Sequence, residues 1–468
     1  MQSTLCQSSE NKITHDLVIV GGGLAGIASA IEARKLNPGW RIALLESRRR
    51  LGGRAGSFVD PKTGKWVDNC QHVGLGCCPE LIDFVAELGR PDAFRRSTEL
   101  LFCSLDGRID RIYGSRFLPP PLHLAPAFAK VGFLSFRDKL TLAYGILKLV
   151  LTLDRKLEEM PFSSWLKAHF QTENAIRNLW EPVLVSALND SLDRIHSAGA
   201  KKVMLESFFR RRDGFHLLVP AMPLGILFDE VVRQKFENDQ IAMIEGHAVQ
   251  EMKYDEQKKQ FEIVMNDDLN VISRNVILAT PWPVAAKLLE TFGNSSIIEE
   301  INNFSRLEKS PITGIHIVLD KRVCEYREIA LLGRTIQWVF DHTEADCKHQ
   351  PGLLPVGGQS LQLVISASHS LLKRNRDEIM EIVISELKQV FPEMQSAAVV
   401  SSWVVTEHAA TFSPGPGTEK LRPEQKTVLP GLALAGDWTK TGWPSTMEGA
   451  IRSGRLAARA LADQFPAD

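Results

Sequence analysis
The chain has 468 residues, with 55 Lys and Arg against 56 Asp and Glu. That length holds two or three lobes with sizeable cores, and the balanced charge, without a polybasic tract, excludes the usual basic nucleic-acid surface. Seven cysteines show neither zinc nor redox-motif spacing, so no metal is expected, and with no secretory signal the expectation is reduced thiols in the cytoplasm.

The polar segment 1–11 reads as a flexible tail. Val18, Ile19 and Val20 then form an apolar, β-branched run that fits a buried parallel strand. Gly21, Gly23 and Gly26 follow in the spacing of a dinucleotide-binding turn. There the first glycine permits the tight turn, the second lets the backbone approach a pyrophosphate, and the third lets the next helix pack on the strand. A helix is predicted over 24–35, aiming its first amides, at Leu24 and Ala25, and its dipole at the phosphates. Residues 42–45 read as a second strand, with Glu46 at its end placed to accept from ribose hydroxyls. Gly52, Gly53 and Arg54 follow closely, and the whole pattern favours FAD over NAD.

Residues 117–122 form a stiff apolar loop, and 124–134 are apolar except for Lys130. Ser135 with Asp138 predicts a capped helix start, and the helix ends near 153. The run 140–153 is too short to cross a bilayer and is broken by Lys148. Two readings stand for this region: a buried cap over a substrate cavity, and a surface that rests on a membrane. They can hold for different faces. The rest of 90–215 reads as mostly helical.

Farther on, 242–245, 247–254 and 261–265 alternate as half-buried strands, and 275–281 is a buried strand stopped by Pro281. Strands are predicted over 314–319, 337–340 and 360–367, and a helix over 375–390. Near the C-terminus a short strand, 432–434, leads into Gly436 and Asp437, and a helix opens around Met447. Asp437 suits a ribityl hydroxyl, and the amides of Met447, Glu448 and Gly449 suit the pyrimidine end of a flavin. The fold class expected is α/β with an α+β substrate lobe and a helical cap. A Rossmann-like FAD-binding domain would be discontinuous over 12–89, 216–289 and 421–468, and the substrate-binding domain would take 90–215 and 290–420.

These motifs resemble the flavin amine oxidase and phytoene desaturase superfamily. Four further stretches narrow the match: Asp68 to Val73; Trp180-Glu181-Pro182 with Ser186 to Asn189; Ser310-Pro311-Ile312; and Ala435 to Gly442. Together they resemble hydroxysqualene dehydroxylase, also described as the squalene-associated FAD-dependent desaturase, over nearly the whole chain. The resemblance implies non-covalent FAD held also by Ser47, Arg50 and Val249, with Arg54 reaching the phosphate or ring and the Thr280-Pro281 turn near the cofactor. It implies reduction of a triterpene alcohol in squalene, hopanoid or sterol biosynthesis, after a squalene-synthase-like enzyme, with transient contact at the inner face of the membrane. His72 is either the candidate acid, or the residue that orients one, because histidine exchanges protons near neutrality, or a hydrogen-bonded structural residue beside the flavin. Trp180, Glu181 and Asn189 either line the cavity or serve the core and a helix end.

Departures from the family pattern are Cys70, where glycine is usual, and His408-Ala409, where a basic pair is usual. The main alternative is a carotenoid-type desaturase, which runs the hydride the other way. An amine oxidase fits less well. Thr446 stands where those enzymes have an aromatic residue, and no cysteine follows Cys347 to attach a flavin covalently. A catalytically silent isoprenoid carrier is the last alternative, and the complete ring-binding segment argues against it.

Overall fold
The computed structural model describes residues 13–292 and 295–464. The tail expected over 1–11 lies outside the described residues. The first sheet is built on the strand Ile13–Val20, paired in parallel with Ile42–Glu46 on one side and Asn270–Leu278 on the other. Ala242–Glu245 extends it in parallel past Ile42–Glu46. Beyond Asn270–Leu278 the sheet divides. Leu432–Leu434 continues the parallel order, while Gln260–Met265 and then Val249–Asp255 run antiparallel. Val18, Ile19, Val276 and Ile277 at the centre are completely buried, which is why both faces of these strands are apolar.

The helix Leu24–Leu36 is buried along its first ten residues and lies against the C-terminal helix Met447–Ala462. Small residues allow this. A Cβ on Gly26 would stand 1.9 Å from the Gly21 carbonyl oxygen, and one on Gly454 would stand 2.1 Å from that of Ala25. Ser29 Oγ donates across the helix pair to the Gly454 carbonyl at 3.1 Å, and Arg459 pairs with Glu32 at 2.7 Å.

The second sheet runs in the order Val399–Phe412, Lys309–Leu319, Gln359–Ser366, Trp338–Asp341, Glu328–Leu331, Glu99–Cys103, Ile109–Tyr113. Its pairings are antiparallel except Glu328–Leu331 with Glu99–Cys103. The helix Arg376–Val390, capped by Asn375 and Glu378, packs Ile379, Val383 and Leu387 on it. The hairpin 99–113 corrects the helical reading of that stretch. It closes at Asp106-Gly107, where Gly107 has φ +81° and Ser104 N–H donates to the Arg108 carbonyl at 2.9 Å. An Asp-Gly pair between apolar runs is a hairpin signal.

The remainder of 122–209 is helical. In the helix Phe136–Leu151, Ser135 and Asp138 form the expected reciprocal cap, with contacts of 3.2 and 2.8 Å. The helix buries Leu142, Gly145 and Leu149 and exposes Phe136, Leu140, Tyr144, Leu147 and Leu151. One face is thus packed and the other is apolar and open. Among the described residues no helix is long and apolar enough to cross a membrane.

Gly454→Ala should push the C-terminal helix off Leu24–Leu36, because the added methyl meets backbone. We expect a loss of about 1–3 kcal/mol in thermal or urea unfolding, with Ala457→Gly, a deletion in the same helix, giving no comparable displacement of the helix pair in a crystal structure.

Candidate functional site
The glycine turn and its neighbour form a cradle. Gly21 has φ +114°, and a Cβ there would stand 2.6 Å from the Ala279 carbonyl oxygen. Gly52 N–H donates to the Gly22 carbonyl at 2.9 Å, so the second turn lies against the first. Over Gly23 the space is open: a Cβ would find only Gly53 Cα, at 3.9 Å. The helix behind it has no side-chain cap and no acid in its first turn. Unclaimed amides at Leu24 and Ala25, with the positive end of the helix dipole, suit an anion.

Glu46 anchors this turn, accepting from Gly22 N–H at 2.7 Å and from Arg48 N–H at 2.9 Å. Ser47 Oγ donates to the same carboxylate at 3.1 Å. Carboxylate oxygens retain further lone pairs for hydroxyl donors. Gly246 N–H donates to the Glu46 carbonyl at 2.9 Å, which brings the start of Val249–Asp255 to this corner. Arg50 instead braces the hairpin Ser57–Val59/Trp66–Asp68, donating to the Ser57 carbonyl at 2.7 Å and lying over Phe58.

Arg54 lies in the second glycine turn. Its guanidinium pairs with buried Asp437 and donates to the Ala410 carbonyl at 2.8 Å. Ser445 Oγ donates to the other Asp437 oxygen. The pair joins the second glycine turn to the C-terminal loop. Gly436 (φ +146°) leaves room for the Trp438 indole, whose Nε1–H donates to the Thr280 carbonyl at 3.0 Å. Thr446 caps the C-terminal helix and takes the Gly449 amide at 3.1 Å, so Met447 and Glu448 amides remain for a ligand. The Glu448 carboxylate faces elsewhere: it accepts from Leu81 N–H at 2.9 Å and caps the helix Pro79–Glu87.

Sequence reasoning missed Arg422. Its buried guanidinium donates to the carbonyls of Trp443 at 2.9 Å and Asp437 at 3.3 Å, and pairs with Glu419 at 2.9 Å. It is the staple of the Asp437–Trp443 loop. A lone arginine before a strand carries no local signal of this role.

Residues 68–73 connect the cradle to the substrate lobe. Asp68 accepts from Ser57 Oγ at 2.5 Å and Leu224 N–H at 3.1 Å, and burial pushes its carboxyl up to about 7. Asn69 donates to the Gly53 and Arg54 carbonyls, both at 3.2 Å. Cys70 lies against Gly314, where a Cβ would stand 3.2 Å from Cys70 Sγ. Glycine at 314 thus makes room for the unusual cysteine. His72 Nδ1 lies 2.8 Å from the Cys70 carbonyl. A carbonyl only accepts, so Nδ1 carries the proton and Nε2 of the neutral ring is an acceptor. Burial first, and Arg54 second, lower its pKa. The lowered pKa favours the neutral ring, which suits an orienting role as an acceptor at Nε2.

Trp180 and Asn189 take the structural reading. Trp180 is fully buried among Phe162 and Trp165, with Nε1–H donating to Gln171 at 2.9 Å. Asn189, at φ +54°, ends the helix Glu181–Leu188 and bonds Thr411 Oγ1 at 2.9 Å and Ala367 N–H at 2.7 Å. It ties this helix end to the second sheet.

The family of flavin containing amine oxidoreductases matches residues 24–462. The chain belongs to that family. It is an oxidoreductase with the flavin amine oxidase fold. Among curated relatives, 15-cis-phytoene desaturase of Solanum lycopersicum is 25% identical, over 96% of this chain and 78% of its own length. Zeta-carotene desaturase of Synechocystis is 24% identical, over 95% and 96%. Cyclohexylamine oxidase from Brevibacterium oxydans superposes with a TM-score of 0.68 at 15% identity, over 97% of this chain and all of that one. FAD is the cofactor the family implies, and the open cradle over Gly23, the uncapped helix and the carboxylates of Glu46 and Asp437 fit its phosphates and hydroxyls.

Two outcomes follow from this geometry. Arg422→Gln should cost about 3 kcal/mol, since it leaves Glu419 and several carbonyls without a cation, and should lower FAD retention on gel filtration. Asp68 has a folded pKa near 7 against an ordinary 3.8, so its contribution to stability is present below pH 4 and is lost as pH rises towards 7. Asp68→Asn keeps an acceptor for Ser57 and Leu224, and its melting temperature should therefore fall less than wild type's between pH 5 and pH 8.

Proposed function
We propose that this flavoenzyme reduces hydroxysqualene to squalene. The observation that carries the reading is the segment 68–73, which runs from the flavin turn at Asn69 to Val73, packed against the apolar core of the cap. A long apolar chain held by the cap would thereby meet the cofactor edge at His72. The relatives named for phytoene and zeta-carotene, both long isoprenoids, support the substrate class, and the stretches around residues 68, 180, 310 and 435 support the narrower family.

Two-electron reduced FAD, when bound, would supply both the hydride to the allylic carbon and the proton with which the hydroxyl leaves as water. The protein's part is placement. His72 Nε2 would accept from the substrate O–H and so hold the carbinol in place. The Arg54–Asp437 pair fixes the loop under the cofactor, and the cap excludes water. FAD is held without a covalent bond.

A second reading, carotenoid-type desaturation, is favoured by one observation: a neutral imidazole acceptor also suits proton removal. Anaerobic mixing of the photoreduced protein with hydroxysqualene decides between them. Flavin reoxidation with matching squalene is expected. Reduced flavin with unchanged alcohol would overturn the proposal and leave the desaturase. His72→Gln should retain FAD and lose at least tenfold in the rate of that step, about the weight of one hydrogen bond; full turnover would remove His72 from the mechanism.

The outer face of Phe136–Leu151, with Phe117 at 94% exposure and Leu153 at 71%, is a surface for peripheral membrane contact. Arg116, Lys130, Arg137, Lys148, Arg155 and Lys156 are exposed in the same stretch of chain, which suits anionic headgroups. Leu147→Asp with Leu151→Asp should abolish co-sedimentation with phosphatidylglycerol vesicles while leaving FAD content unchanged. Equal sedimentation would refute the surface.

A further inference from the structure
Gln71 is buried, and neither atom of its carboxamide has a hydrogen-bond partner among the described residues. A primary amide offers two donors and two acceptor sites. Folded chains rarely leave such a group unpaired, and the exceptions call for a ligand or a functional role. His15 and His123 are also buried with both ring nitrogens unpaired. Gln71 differs from them in position, because it stands in the segment that joins the flavin turn to the cap.

Its neighbours define what reaches it. Asn69, two residues before, donates to the carbonyls of Gly53 and Arg54 at 3.2 Å. Val73, two residues after, packs on the cap core. Cys70, on one side, touches the substrate-lobe strand at Gly314. His72, on the other, has Nδ1 engaged by the Cys70 carbonyl and Nε2 left as an acceptor. The segment that joins the glycine turn to the cap core thus carries an unpaired amide next in sequence to an imidazole. A pure hydrocarbon can satisfy neither.

We infer that Gln71 reads the hydroxyl of the substrate. Its Nε2–H donates to the carbinol oxygen, while His72 Nε2 accepts from the carbinol O–H. Gln71 is then the residue that separates the alcohol from the hydrocarbon product, and it promotes product release, since squalene leaves the amide unpaired. The inference rests on the hydroxysqualene reading. A site built to bond a hydroxyl discriminates strongly against the analogue that lacks it.

The test uses the FAD-loaded protein. Wild type, Gln71→Leu and Gln71→Met are compared for affinity toward hydroxysqualene and squalene in the oxidised state, where no turnover occurs, and for single-turnover reduction of hydroxysqualene. FAD content and the flavin absorption spectrum are recorded for each. Wild type should prefer the alcohol. Both variants should lose about tenfold of that preference, the weight of one neutral hydrogen bond, with squalene affinity and flavin spectrum unchanged. Gln71→Met keeps the length of the side chain, so it covers the case in which leucine disturbs the fold. An unchanged preference in a wild type and variants that all reduce the alcohol would overturn the role of Gln71 alone. A shifted flavin spectrum with the preference intact would also overturn it, assigning the amide to the flavin ring. A wild type that neither prefers nor reduces the alcohol would overturn the underlying reading instead.

Discussion
Backbone contact at glycine sets the geometry on which the cofactor lobe depends. Gly26 lets the first helix press onto the turn it leaves, and Gly454 lets the C-terminal helix press onto the first. Both contacts lie closer than any Cβ tolerates. Because the two helices are locked together, their N-termini are fixed relative to one sheet. One faces the open space over Gly23, and the other follows the Asp437 loop. A dinucleotide with a flavin ring requires amides at both places, separated by a fixed span, and dispersion between larger side chains would hold them less closely.

The polar residues then tie distant segments to that frame. Arg54 with Asp437 connects residues 383 positions apart in sequence, and Arg422 binds the loop between Asp437 and Trp443 from behind. Buried ion pairs of this kind are weak sources of stability, but removing one partner is costly. Their effect here is to define one arrangement of three loops. The same logic holds at Asn189, where one side chain at a helix end meets a hydroxyl and a backbone amide from two strands of the substrate sheet.

What the sequence made legible divides along physical lines. The glycine turn, Glu46 and the capped helix after Ser135 depend on residues close in sequence, where each position has few alternatives, and they were readable. The strands Ile42–Glu46 and Leu432–Leu434 were readable because both faces are buried. Arg422, the partner of Arg54, and the fate of Asn189 were not, since they arise from contacts between segments hundreds of residues apart. The hairpin Glu99–Cys103/Ile109–Tyr113 was missed although Asp106-Gly107 marked it, because the helical segments around it dominated the local pattern. For Glu448, the sequence pointed only to its backbone amide, which the structure leaves open, and not to the place of its side chain. The structure gives its carboxylate to the amides of another helix, where burial raises its pKa.

The short segment between the two lobes has the most demanding task. Its first residue, Asp68, is anchored by Ser57 and Leu224 on the flavin side, and its backbone carbonyl accepts from His316 Nε2–H of the substrate sheet at 2.8 Å. His316 is held neutral by burial, with its pKa pushed down to about 4, so this contact is a constant donor through the neutral range. The segment is thus clamped at one end by both lobes and at the other by apolar packing at Val73. Between the clamps, Cys70 fills the space that Gly314 leaves, which fixes the backbone rather than loosening it. A rigid backbone there orients the His72 ring through the Cys70 carbonyl, a contact that sets the tautomer. Under the proposed function, shape alone would give little hold on a flexible hydrocarbon, and this clamp would keep the few polar groups of the segment firmly placed.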